Sequence, residues 1–431
     1  MATFPSAGRS KDDVLGALEA LAAHDADFEA GRTFGLIYHL SDPEASATIQ
    51  AAHDRYVWYN ALNPAVFPSL RTMTADVVDI SAHLLSGGLV GAAPQPALAG
   101  FLASGGTESI LMGVKAAKVA GKRKKGVEHG NVVLASTAHA AFAKGCDYFG
   151  LEQRRVDVDQ HFRACPDAMA DACDDDTVLI VGSAPQYPQG IIDPIPPLGQ
   201  IALDRDINLH VDSCIGGFVL PFLEVLGHVD TGLFPWDFRV PGVTTISADL
   251  HKYAYVPKGA SVILHRDKVS RRDQTFMFDG WLGGFYGSSG VLGTKPGGPI
   301  AAAWASLQVL GLDGFTKAAD EAFIARTRLE AGVRATPGLT VLGQPQSTLC
   351  AITADPAHAG TPVDVFALGD ALFAAGWHLD RQTPPDSLHA TCTPVQGGAV
   401  MDEFLAALRA TVEELAGERT DDRSTTYGAV E

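Results

Sequence analysis

Lys252, Asp212 and the run Ser104-Gly105-Gly106-Thr107 are the residues whose types and settings point most directly to chemistry. Lys252 lies in the stretch SADLHKYAYVPKGA (247–260), just after the β-branched run Val243-Thr244-Thr245-Ile246. A lysine shielded at such a place loses hydration, which lowers its pKa and supplies the neutral amine that attacks a carbonyl carbon. Asp212 closes the run Asn208-Leu209-His210-Val211-Asp212, and a carboxylate there can keep a ring nitrogen protonated. Gly105, Gly106 and Thr107 precede Ile110, Leu111 and Val114 at helical spacing. Backbone N–H groups at such a helix start can approach a phosphate, and the helix dipole favours its charge.

For these residues to meet, the chain must gather several strand ends. Short β-branched or apolar runs at 131–135, 177–182, 208–212, 243–247 and 261–264 alternate with helical patterns. That alternation predicts an α/β architecture with a mostly parallel sheet covered on both faces, and a ligand at the carboxyl ends of its strands. Upstream, Ser10 and Asp13 resemble a capping box before Val14, Leu15, Leu18 and Leu21. Leu70, Met73, Val77, Ile80 and Leu84 predict a second amphipathic helix. Downstream, helical patterns at 300–310 and 315–335 lead to strand-like 339–342 and 348–353, a helix at 363–375, strand-like 377–381 and 388–393, and a helix at 401–416. The expected divisions are a helical segment at 1–59, a large domain at 60–312, a small C-terminal α/β domain at 313–417 and a polar tail at 418–431.

Singly, the three features have plainer explanations. A strand-end Asp more often caps a helix, Gly-Gly-Thr more often makes a turn, and a lone Lys is more often a solvated charge. Together, in this order and at strand ends, an imine-forming amine, a carboxylate for a pyridine nitrogen and a phosphate cup are what pyridoxal 5'-phosphate requires.

Composition narrows the partners. Of 431 residues, 19% are charged and 46% hydrophobic, as in a globular protein with a sizeable core. The net charge of -18 argues against a nucleic acid or an anionic membrane as partner. Neither a basic start followed by an apolar run nor a membrane-length apolar window is expected to act here, so the reading is cytoplasmic with no membrane span. The six cysteines show no Cys-x-x-Cys pair or Cys/His spacing for a metal, and read as reduced thiols.

Five stretches in order, ASGGTESILMGVKAAK, STAHAAFAKGCDYFG, SAPQYPQGIIDPI, HVDSCIGGFVLPF and SADLHKYAYVPKGA, resemble the sphingosine-1-phosphate lyases within the pyridoxal-dependent (group II) decarboxylase family. The resemblance spans roughly residues 60–392. It implies a fold-type I enzyme with a seven-stranded large-domain sheet, working as a homodimer with active sites at the subunit interface. It makes Lys252 the Schiff-base lysine, Asp212 the partner of the pyridine nitrogen and His139 the residue stacked on the cofactor ring. Gly105, Gly106 and Thr107 would hold the cofactor phosphate with His251 and Ser247. The segment GTKPGG, ending at Gly298, would reach toward the neighbouring subunit's phosphate, with Lys295 where an arginine is common. Lys258 matches a lysine that binds substrate phosphate, against the plainer reading of an exposed turn lysine. Tyr187 matches a position that assists proton transfer, against that of a packed loop aromatic.

One departure concerns the substrate. Where the lyases carry Asn-x-x-His-Pro, this chain reads Asn60-Ala61-Leu62-Asn63-Pro64, and Asn63 can neither carry charge nor act as a base. The implied activity is retro-aldol cleavage of a small phosphorylated β-hydroxy amine, such as a phosphorylated sphingoid base, into an aldehyde and phosphoethanolamine. Amino-acid decarboxylation on the same cofactor is the alternative, and a cofactor-binding protein without turnover is a third.

Overall fold

A computed structural model describes residues 4–63, 65–93, 98–229, 235–415 and 417–425. Pro64 of the Asn-x-x-Asn-Pro stretch and residues 426–431 of the expected tail lie outside the described residues. The chain opens with α1 (Lys11–Ala22), α2 (Pro43–Arg55) and α3 (Pro68–Leu84). Ser10 caps α1 by accepting from the Asp13 N–H at 3.1 Å, yet no residue of α1 is buried. α3 turns Leu70, Met73, Val77 and Leu84 inward, as its spacing predicts, whereas Ile80 of the expected stripe is exposed.

A seven-stranded sheet follows, in the order β1-β7-β6-β5-β4-β2-β3. Its strands are β1 (Ala99–Ala103), β2 (Asn131–Ala135), β3 (Glu152–Val156), β4 (Thr177–Ser183), β5 (Asn208–Asp212), β6 (Val243–Ala248) and β7 (Ser261–His265). Only β7 runs against its neighbours, pairing antiparallel with both β1 and β6. Helices α4 (Gly106–Lys125), α5 (Ala141–Phe149), α6 (Pro166–Asp171), α7 (Ile195–Asp204), α8 (Leu220–Val225) and α9 (Lys268–Gln274) lie among and after these strands. β2, β4 and β7 are buried along their whole length, which is why they read as continuous apolar runs.

An exposed two-stranded hairpin, β8 (Phe276–Phe278) with β9 (Tyr286–Ser288), precedes α10 (Gly297–Arg334). Two helical patterns are expected there, and the structure joins them into one long run broken at Gly311, whose φ of 55° lies in the left-handed region. α10 packs against α2 and α3 at one end and reaches the second core at the other. That core lies on a four-stranded antiparallel sheet, β10-β11-β13-β12, made of β10 (Leu339–Val341), β11 (Leu349–Ala354), β12 (Asp380–Gln382) and β13 (Ser387–Thr391). Helices α11 (Val365–Ala374) and α12 (Gly398–Leu415) cover it through Phe366, Leu372, Phe404 and Leu408.

The N-terminal segment is shared between the two cores. Phe34 is buried against Trp377 and Phe404, and Thr33 bridges His378 in parallel, while Ile49 of α2 joins the core of the large sheet. Residues 419–425 are fastened to the small sheet's helices as well. Arg423 pairs with Asp364 at 2.8 Å, and Arg381 donates to the Asp422 carbonyl at 3.1 Å. No helix among the described residues is long and apolar enough to cross a membrane.

Candidate active site

The carboxyl ends of the parallel strands enclose a cavity of about 370 Å³. β1 runs into Ser104, Gly105 and the start of α4, whose N-cap Gly105 offers no side-chain cap. The first-turn N–H groups at Gly106 and Thr107 therefore border the cavity without a capping side chain, as an anion cradle requires. A Cβ on Gly106 would lie 2.7 Å from Asp249 Oδ2 and 2.9 Å from Cys214 Sγ, so this close approach requires glycine. Glu108 accepts from the Ser104 N–H at 2.6 Å and from the Val291 N–H at 2.6 Å, tying the cradle to the segment that precedes α10.

Asp212 ends β5 in register with Ser183 of β4 and Ser247 of β6. Its Oδ1 accepts from the Cys214 N–H at 3.1 Å and the Ser247 hydroxyl at 3.3 Å. Behind Ser247 lies His210, with Nε2 3.0 Å from Ser247 Oγ and Nδ1 2.8 Å from Thr245 Oγ1. Burial pushes the His210 imidazole down to about 4, although the Asp212 charge opposes this, so His210 is a neutral ring at neutral pH. Ser247 is thus a buried support beneath Asp212 and is not on the cavity wall, where the cofactor role would put it.

His139 stands in the turn between β2 and α5, and its Nδ1 accepts from the Ala141 N–H at 3.1 Å. Burial holds its imidazole below the usual range, against the pull of Asp212. Lys252 sits four residues past β6, with Nζ 3.0 Å from Asp249 Oδ2. His251 Nε2 lies 3.4 Å from the same oxygen. Burial by itself would raise the Asp249 carboxyl, but the charges of Lys252 and His251 outweigh it and hold the group well below the usual carboxylate range. Sequence reasoning passed over Asp249, although its place three residues before Lys252 puts both on one turn. Cys214 and Ile215 also line the cavity without having been singled out.

The cavity therefore joins Gly105, Gly106, Thr107, His139, Tyr187, Asp212, His251 and Lys252. It does not join the remaining candidates. Lys258 lines a neighbouring cavity of about 320 Å³ with Tyr38 and His39, its Nζ 3.3 Å from the His251 carbonyl and 5.2 Å from the Tyr38 ring centre. Burial, then the Lys252 charge, brings the Lys258 amine down to about 8. Asn60 and Lys295 form a third group: Asn60 Oδ1 accepts from the Lys295 N–H at 3.2 Å, and the Ala61 N–H donates to the Lys295 carbonyl at 2.9 Å. Lys295 Nζ rests 3.7 Å from the Phe101 ring centre. Asn63 is exposed, and its Oδ1 accepts from the Ala65 N–H at 3.0 Å in a local turn. Gly298 packs against His53, whose ring would lie 2.8 Å from a Cβ there.

These residues fit pyridoxal phosphate. Among the described residues, Asp249 Oδ1 and His251 Nδ1 are buried polar atoms without a hydrogen-bond partner, and both residues line the cavity beside the amine and the anion cradle. Asp212 and His139 line the same cavity.

Comparison with known proteins agrees. Residues 59–352 match the family model described as the pyridoxal-dependent decarboxylase conserved domain. The chain is 37% identical to the sphingosine-1-phosphate lyase of Oryza sativa subsp. japonica, over 99% of this chain and 77% of that protein. It is 34% identical to sphingosine-1-phosphate lyase 1 of Rattus norvegicus, over 99% of this chain and 72% of that one. Among solved structures, the Burkholderia pseudomallei sphingosine-1-phosphate lyase superposes with a TM-score of 0.88 at 36% identity, covering 96% of this chain and 92% of that one. The Lactobacillus brevis glutamate decarboxylase, 18% identical, shares the fold with a TM-score of 0.82, covering 97% of this chain and 95% of that one. The chain belongs to the pyridoxal-dependent decarboxylase family, as a sphingosine-1-phosphate lyase-like member.

Proposed function

We propose that this protein is a pyridoxal phosphate-dependent lyase that cleaves a phosphorylated β-hydroxy amine of the sphingosine-1-phosphate type into an aldehyde and phosphoethanolamine. The observation that carries the reading is the meeting of Lys252, Asp212, His139 and the uncapped start of α4 in one cavity of about 370 Å³. When bound, pyridoxal phosphate supplies an electron sink conjugated to the substrate nitrogen, so that the bond between the amine-bearing and hydroxyl-bearing carbons can break. Lys252 Nζ is the amine that would hold the cofactor, and Asp249 at 3.0 Å balances its charge. Asp212, oriented by the Cys214 N–H and Ser247, would hold a proton on the ring nitrogen. His139, which lines the same cavity, would cover one ring face. Tyr187, which lines the same cavity, accepts the proton of the substrate hydroxyl.

Lys258 supports a substrate anion, because this exposed lysine lines a cavity next to the catalytic one. We further propose a homodimer in which Asn60, Asn63, Lys295 and Gly298 serve the neighbouring subunit's site. Exposed apolar side chains lie close to that group in sequence: Trp58 is 92% exposed and Val291 60%. We also propose a cytoplasmic location, which fractionation of the native cells tests.

The decisive experiment incubates the holoenzyme with sphingosine-1-phosphate and, separately, with a panel of L-amino acids. A fatty aldehyde and phosphoethanolamine in equal amounts are expected. Carbon dioxide from an amino acid, with no aldehyde from the phosphorylated base, would overturn the reading in favour of decarboxylation. Borohydride should fix the cofactor to Lys252, located by peptide mass.

A further inference from the structure

Tyr187 enters the catalytic cavity from the loop after β4, but what fixes it comes from the other sheet. Its ring lies on His389 of β13, with centroids 3.9 Å apart and planes 21° from parallel. Its hydroxyl donates to Asp380 Oδ2 of β12 at 3.0 Å. Asp380 and His389 are directly opposed in the β12–β13 register, so two neighbouring strands hold the two ends of one side chain. The other carboxylate oxygen of Asp380 lies 3.2 Å from His378 Nε2, while His389 Nε2 meets Thr391 Oγ1 at 2.7 Å. Burial pushes the His389 imidazole down to about 4, so the ring beneath Tyr187 is neutral at neutral pH. At Gly35 a Cβ would come within 3.0 Å of Asp380 Oδ2, which leaves this carboxylate little room to turn.

An ionised carboxylate only accepts hydrogen bonds. The bond therefore points the phenol proton at Asp380 and fixes how the Tyr187 oxygen is presented to the cavity. We propose that Asp380, braced by His378, is a positioning residue that orients the Tyr187 hydroxyl as a proton acceptor and makes the small domain part of the catalytic site. In the proton transfer, the substrate hydroxyl proton moves to Tyr187 Oη as the phenol proton moves to Asp380 Oδ2. The substrate C–O becomes C=O, the carbon–carbon bond breaks, and its electron pair goes to the bound cofactor. The proton returns by the same route when the carbon left on the amine is protonated.

This rests on the lyase reading and on Tyr187 as its proton acceptor, so the test separates the two. Holoenzyme labelled with [13Cζ]tyrosine gives a Tyr187 resonance, assigned by its loss in Tyr187→Phe, whose shift follows the hydrogen bond of the phenol. In Asp380→Asn this resonance moves, and in His378→Asn it moves the same way by less. In turnover, Asp380→Asn lowers kcat by about 100-fold with KM little changed, as expected for a misaimed acid–base group. The same substitution made in Tyr187→Phe costs nothing more. An unmoved resonance in whichever of the two variants folds overturns the proposal. So does a loss of kcat that is as large in the Tyr187→Phe background. Full activity in Tyr187→Phe itself would overturn the role of Tyr187, and with it the role given to Asp380.

Discussion

Two regions assigned to one reaction are built in opposite ways. Around Lys252, a single chain encloses the chemistry: Asp249 is 2% exposed, Asp212 8%, and His210 and Ser247 are wholly buried. Each carboxylate there meets a partner set by strand register or by a single turn. Around Asn63, the side chains of Asn60 and Asn63 accept from backbone N–H groups of their own loop, Asn60 also from that of Lys295, and the apolar neighbours Trp58, Leu62 and Val66 face outward. The difference is what the proposed dimer would produce, a region that one chain completes beside one that a second copy would cover. Cofactor chemistry depends on charges kept out of water, where a neighbouring charge acts at full strength. The loop at Asn63 gains nothing from exposure unless a second copy covers it.

The largest effect in this comparison is expected at Asp249. Asp249→Asn removes the carboxylate that faces Lys252 at 3.0 Å while leaving the amine enclosed. Breaking such a pair should destabilise the cofactor-free protein by about 3 kcal/mol. Urea melts of the cofactor-free form measure this. The holoenzyme should lose less, because Lys252 is then joined to the cofactor and no longer carries an unpaired ammonium charge. Equal losses in both forms would mean that Asp249 acts as a packing residue and does not balance the lysine.

Between the two regions stands Lys258, exposed yet lining the cavity beside Lys252, and its titration measures how far the closed character extends. Its amine, brought down to about 8, is charged below that pH and neutral above it. An anionic substrate held by this ammonium should therefore show a KM that rises as pH passes about 8. Lys258→Met should raise KM about 10-fold at pH 7, the worth of one charge-assisted hydrogen bond, and flatten that rise. Stability has a definite sign here too. A lysine whose folded pKa is depressed adds stability above its unfolded value near 10.4, and that contribution is lost as pH falls through about 8. A KM profile in Lys258→Met that still rises past pH 8 would assign the titration to another group.

How much was legible in the sequence follows the same division. β2 and β5 are bounded as their apolar runs indicate, because buried parallel strands leave a continuous signal. β3, Glu-Gln-Arg-Arg-Val, pairs only with β2 at the sheet edge and gave no apolar run. α2 buries just Ala45 and Ile49, too little for a helical stripe. Lys252, Asp212 and the Gly105 turn were visible because their positions follow from strand ends. Asp249 lay in the quoted stretch and went unread, since only its contact with Lys252 gives it meaning. Asp380 and His389 were beyond reach. Their meeting with Tyr187 is a contact between distant segments, and periodicity along the chain carries no trace of it. The placement of Phe34 in the small sheet's core was hidden for the same reason.

The smallest expected effect sharpens the comparison most, because it concerns the open region. Asn63→His restores the residue type that the resemblance implies. Within one chain, the change should cost only about 0.5–1 kcal/mol, since Asn63 is exposed and its one observed bond is the turn contact to the Ala65 N–H at 3.0 Å. A role confined to the chain's own fold would stop there. If Asn63 instead faces a neighbouring subunit's substrate phosphate, a histidine there adds a donor that can carry charge, and kcat/KM for the phosphorylated substrate should rise a few-fold. That gain should be larger at pH 6 than at pH 8, because histidine is protonated below about 6.5. It should also vanish at protein concentrations where the subunits separate, a dependence that no effect within a single chain can imitate. Measuring kcat/KM for both proteins across dilution and pH therefore tests the dimer and the role of Asn63 together. An unchanged rate at every concentration where sedimentation shows a dimer would remove Asn63 from the substrate site.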